Sequence, residues 1–201
     1  MARASLGSTF FSLFVAIGFG LFLAPRARAS VSTAVTFEAL VRDTTSVGLA
    51  TPIEQHAVWE GGAIFTYTRV HVESAVAGAL GTGAETWVVT RGGVVGDVGQ
   101  VVDGEAVLHL GVPSLLFLRE DPSGPGAHVV TARAQGQFPI VDVPLLDERR
   151  ERRFVRSTSV GMLLRHPSTA RMRIASEVIE GRPVADVVRE VAAAWKEAHA
   201  N

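Results

Sequence analysis

The sequence predicts a mainly β protein: a small antiparallel barrel of five to seven strands, with a short N-terminal helix and a C-terminal amphipathic helix packed on it. Three observations carry this. Between Val47 and Phe138, short β-rich runs are punctuated by glycine, as in an antiparallel all-β series. Leu115-Leu116-Phe117-Leu118 is apolar at every position, the pattern of a strand covered on both faces. From Pro183 onward, apolar residues recur three and four apart, the period of a helix.

The elements follow in order. Thr36 is placed to cap a short helix over Phe37–Val41, whose Phe37, Leu40 and Val41 share one face. The expected strands are Val47–Trp59, Ile64–Val76, Thr86–Thr90, Glu105–Leu110, Leu115–Arg119, His128–Arg133 and Gln137–Val141. In the second of these, Ile64, Thr66, Thr68, Val70 and Val72 make a β-branched core face, while Phe65, Tyr67, Arg69, His71 and Glu73 point the other way. The outer face of the Leu115–Leu118 run needs a cover. The stripe Val184, Val187, Val188, Val191, Ala192 and Trp195 on the last helix is expected to supply it, with Pro183 at a first helical position. Residues 157–180 read as a strand followed by a helical turn.

Residues 1–29 have the layout of a secretory signal. Arg3 supplies positive charge, Phe10 to Leu23 form the apolar run, and Ala27-Arg28-Ala29 is a small-x-small cleavage pattern before Ser30. An uncleaved membrane anchor is the competing reading, but Gly18, Gly20 and Pro25 interrupt a spanning helix. Export by the general secretory route to the periplasm or exterior is therefore expected, with no stable membrane insertion after cleavage. The expected organisation is 1–29 signal peptide, 30–143 β-barrel domain, and 144–201 charged linker with the C-terminal helical segment.

Composition narrows the chemistry. The 201 residues include no cysteine, which removes disulfides, thiol nucleophiles and thiolate metal sites. The formal charge is −1, and losing Arg3, Arg26 and Arg28 with the signal takes it to about −4, which disfavours a nucleic-acid partner. Only Lys196 of the 19 basic residues is lysine.

Several constellations are candidates for function. The block from Gly92 to Glu105 lacks Gly-Lys-Ser/Thr and leads into another β-run, so it reads as a long connection between strands ending in an Asp103-Gly104 hairpin turn. Its Gly92, Gly93, Gly96, Gly99 and Gln100 are candidate binding residues, because ordered loops carry binding sites. Trp59, beside Glu60-Gly61-Gly62, is a candidate anchor at a hairpin tip. The mixed-charge run 147–156 reads as solvated chain; as a docking patch it would use Arg149, Arg150, Arg152 and Arg153. His71 and Glu73 project from one strand face and, with a third group such as Glu60, Glu105 or His109 from neighbouring strands, are the candidates for metal or acid–base chemistry. The sequence has neither His-Glu-x-x-His nor Gly-x-Ser-x-Gly.

The lead Phe37-Glu38-x-Leu40-Val41, then Tyr67-Thr68-Arg69-Val70-x-Val72-Glu73, the block Gly92-Gly93-x-x-Gly96-x-x-Gly99-Gln100-x-Val102-x-Gly104-Glu105-Ala106, Leu115–Leu118 and Ala134-Gln135-Gly136-Gln137-Phe138 together resemble a group of uncharacterised exported bacterial proteins. The order of helix and strands is also similar, in shape, to netrin-like domains, which implies an oligonucleotide/oligosaccharide-binding (OB)-like barrel. Netrin-like metalloprotease inhibitors chelate zinc through an N-terminal cysteine, which this chain lacks. The function expected is a non-catalytic secreted or periplasmic module, without a cofactor, that engages an envelope or extracellular protein or peptide through its loops. The alternative is a metal- or His/Glu-dependent hydrolase of the cell envelope.

Overall fold

The computed structural model describes residues 31–200 except 123, 125, 147, 148 and 170, so the expected signal segment lies outside the described residues. The elements are β1 (Val31–Thr33), α1 (Phe37–Arg42), β2 (Ser46–Glu60), β3 (Ala63–Gly78), β4 (Glu85–Arg91), β5 (Gly93–Val95), β6 (Val98–Gln100), β7 (Ser114–Glu120), β8 (Ala127–Val130), β9 (Gln137–Pro144), β10 (Arg150–Phe154), β11 (Met162–Leu164), α2 (Ala175–Ile179) and α3 (Val184–Ala198). The protein is mainly β. No helix among the described residues is long and apolar enough to cross a membrane.

Seven strands form one sheet in the order β10-β9-β7-β2-β3-β4-β8, with an additional pairing between β7 and β8. Two features depart from a simple antiparallel barrel. First, β8 joins β4 in parallel, because the chain crosses over through β5, β6 and β7 before returning to that edge. Second, the barrel is not closed. One edge of β7 pairs with β2, but the other is divided, with Leu118 to Glu120 on β8 and Ser114 to Leu116 on β9. The sheet therefore continues past β7 and ends on β10.

The Leu115–Leu118 run is buried throughout, and its two faces serve two cores. Leu115 and Phe117 pack with Phe37, Leu40 and Val41 of α1 and Val187 and Val191 of α3, so the last helix is the cover that the sequence called for. Leu116 and Leu118 pack on the inner face with Val70, Val88, Val130, Ala106 and Leu108. Thr36 caps α1 as expected, its hydroxyl accepting from the Ala39 N–H at 3.2 Å.

Two local expectations change. Glu105–Leu110 is not a strand: both edges of β7 are occupied, so its backbone is met by side chains instead. Gln137 accepts from the Val107 N–H at 3.2 Å and donates to its carbonyl at 2.7 Å, while the Gln55 amide donates to the Leu108 carbonyl. The run expected to be solvated is strand β10 from Arg150 onward, hydrogen-bonded to β9, with Phe154 fully buried.

A Phe117→Ala substitution removes the ring that joins sheet to helices and is expected to cost roughly 3–5 kcal/mol in chemical denaturation. A loss below about 1 kcal/mol would mean that the helices do not depend on this face of β7.

Candidate functional site

The glycine-rich connection is not a simple loop. It contains the β5–β6 hairpin, anchored at its base to β3. The Gly92 N–H donates to the Ile64 carbonyl at 2.8 Å, the Ile64 N–H donates to Gln100 Oε1 at 2.6 Å, and the Thr66 hydroxyl donates to the Gly92 carbonyl at 2.7 Å. Glycine is required at 93, where φ is +134° and a Cβ would lie 2.4 Å from Thr66 Oγ1. The expected Asp103-Gly104 hairpin turn is a turn closed by the Glu105 N–H on the Val102 carbonyl at 3.2 Å, but no strand follows it.

Between this hairpin and the inner face of the sheet lies a groove of about 840 Å³. Its floor is formed by Gln55, Ala57, Thr66 and Thr90, and its far wall by residues 101–109 with Ser159, Gly161 and Met162. The rim is apolar: Val101 is 92% exposed and Val94 67%, and both line the groove with Val107 and Met162.

The structure brings some sequence-predicted residues together here and leaves others apart. Gly92, Gly93, Gly99, Gln100 and His109 line the groove, and Gly96 lies in the hairpin turn. Trp59 does not line it. It is exposed beside a two-residue turn at Gly61-Gly62, whose positive φ values of 56° and 82° suit a type I′ hairpin. The arginines are on or next to β10, away from the groove. Arg152 lies 3.8 Å from Glu73, and Arg153 is paired with Glu151 at 2.7 Å and donates to the Gly181 carbonyl; Arg149 and Arg150 are exposed at the start of the strand. Glu73 also accepts from the Thr51 hydroxyl, and His71 is in register with Thr51 and Glu85. No three His, Asp or Glu side chains among the described residues are placed to hold a metal ion, so His71, Glu73 and His109 form no such group.

Sequence reasoning offered Glu105 only as a third metal or acid–base group and missed that it and Gln137 shape the wall. Glu105, 8% exposed, sits in the wall with Arg133 at 3.9 Å. Burial pushes its carboxyl above the ordinary range, partly opposed by the Ala106 N–H and by the charges of Arg133 and Arg91. Gln137 is buried and works as a backbone partner. The signal for it was the Gln-x-Gln spacing in the Ala-Gln-Gly-Gln-Phe block, since Gln135 acts likewise, accepting from the Val35 N–H and donating to the Thr33 carbonyl. No protein-family model, curated protein or solved structure matches the chain.

The raised carboxyl of Glu105 fixes a sign. It binds its proton more readily folded than unfolded, so its contribution is fully present below the unfolded value and is lost as pH rises through the folded one. Glu105→Gln, neutral throughout, is expected to gain stability relative to the native chain as pH rises from about 4 to about 8. Denaturant melts across that range decide it; a difference that shrinks with rising pH would refute the burial argument.

Proposed function

We propose that this is a non-catalytic binding module of the periplasm or cell exterior that takes an extended, apolar peptide segment of another protein into the groove under the β5–β6 hairpin. The observation that carries the reading is the groove's apolar rim. Val94, Val101, Val107 and Met162 stay exposed around a concave site, where a purely structural surface would place polar groups. An extended occupant is favoured by β6, which pairs only with β5 among the described residues and contributes Gly99 and Gln100 to the groove. A peptide strand added there would gain main-chain hydrogen bonds, with specificity from alternate side chains against the valines.

The remaining parts of the reading are proposals of the same kind. Residues 1–29 direct secretory export and are removed before Ser30, leaving no stable membrane insertion and an acidic chain with no affinity for nucleic acid. Within the sheet, β7, β2, β3, β4 and β8 form an OB-like unit, supported by the successive pairings that link those five strands. The kinship with the group of exported bacterial proteins rests on the sequence blocks named above.

Selection of phage-displayed random peptides on the exported protein tests the function. Peptides with alternating apolar residues are expected to be enriched, to bind with micromolar affinity, and to weaken at least about tenfold on Val101→Asp, or by about 1.4 kcal/mol. No enrichment, or equal binding by the variant, would overturn the groove reading. The intact mass of the same preparation checks export, since it is expected to begin at Ser30.

A further inference from the structure

The opposite face of the sheet carries a second cleft, of about 310 Å³, which shares only Thr90, Arg91 and Glu105 with the peptide groove. Strand register builds its floor, placing Tyr67, Val89, Val129 and Arg119 side by side across β3, β4, β8 and β7. Next to that row Arg91 is paired with Phe65, its guanidinium 5.8 Å from the ring centre.

A third guanidinium comes from the turn after β8. Ala132 and Arg133 have φ values of 55° and 56°, a left-handed conformation that side-chain-bearing residues adopt only when their surroundings enforce it. Here the Ala134 N–H is held by the Gly104 carbonyl at 3.1 Å, and Arg133 is left lining the cleft. Its one ion pair among the described residues, to Glu105, is long at 3.9 Å. The side chain of Arg119 has no hydrogen bond or ion pair among the described residues.

Three guanidinium groups over an aromatic and valine floor suit an anion, because planar donors match a carboxylate two bonds at a time. The rim limits how much charge that anion carries. Glu60, which accepts from the Tyr67 hydroxyl at 3.3 Å, and Asp121 line the same cleft, with Glu105 at its base. A polyanion would meet these carboxylates and gain little long-range attraction. A single carboxylate reaches the guanidinium groups and leaves an apolar body on Phe65, Tyr67 and the valines. We propose that this cleft binds a small molecule bearing one carboxylate on an aromatic ring or compact apolar body. Its volume is at the small end of the range for such sites.

Benzoate and inorganic phosphate, titrated separately into the exported protein at low salt and followed by amide chemical shifts, test this. Benzoate is expected to saturate, to shift amides of β3 and β4, and to bind at least about tenfold more weakly to Arg119→Gln, whose thermal midpoint stays that of the native chain. Val101→Asp is expected to leave benzoate binding intact, which separates this cleft from the peptide groove. No saturation by benzoate, phosphate binding as tight as benzoate, or undiminished binding by Arg119→Gln would each overturn the proposal.

Discussion

The structure depends on a four-residue run of one strand that has no solvent face. Leu115, Leu116, Phe117 and Leu118 are each nearly inaccessible, so the chain must supply a cover on both sides of β7. Helices α1 and α3 cover one side, and the inner face of the curved sheet with the segment around Ala106 and Leu108 covers the other. Burying an apolar side chain of this size contributes on the order of 2 kcal/mol, so four consecutive ones make this strand a dominant source of cohesion. The same strand also organises the hydrogen bonding, since three neighbours draw on its two edges.

That crowding explains the use of glutamine. Once β2, β8 and β9 have taken the edges of β7, residues 105–108 still have to cross the inner core with their backbone groups away from water. An unmet backbone group there would cost about 1–3 kcal/mol. Gln137 and Gln55 remove the penalty by presenting amides where a strand would have presented its backbone, and Gln100 and Gln135 do the same for Ile64 and for Thr33 and Val35. The wall of the groove is thus held by side chains. Its outward residues, Val107 and His109 among them, remain free of strand pairing and face the groove.

The two concave sites lie back to back and share Thr90, Arg91 and Glu105. Alternation along β3 separates them: Thr66 turns to the groove, while Phe65 and Tyr67 turn to the arginine cleft. Glu105 stands between them, buried, and lines both surfaces. The histidine and glutamate pair on β3 has a different position. Glu73 is engaged by Thr51 and Arg152, which makes it part of the link between the sheet's centre and its β10 edge.

The sequence by itself determined what local pattern determines. The alternation of Ile64 to Glu73, the unbroken apolar run at Leu115, the Thr36 cap and the stripe after Pro183 each fix an element and the face it buries, and all four appear where they were read. The glycine block was legible as a long exposed connection, but the hairpin inside it was not. Tertiary structure decided the rest, because competition for a strand edge is not a local property. Glu105 to Leu110 alternates like a strand and is denied a partner by β8 and β9, and the basic run starting at Arg150 becomes a strand because β9 has an edge to offer. The arginine cleft was invisible for the same reason. Arg91, Arg119 and Arg133 are far apart along the chain, and only the parallel return of β8 beside β4 and the left-handed turn that follows bring their charges together.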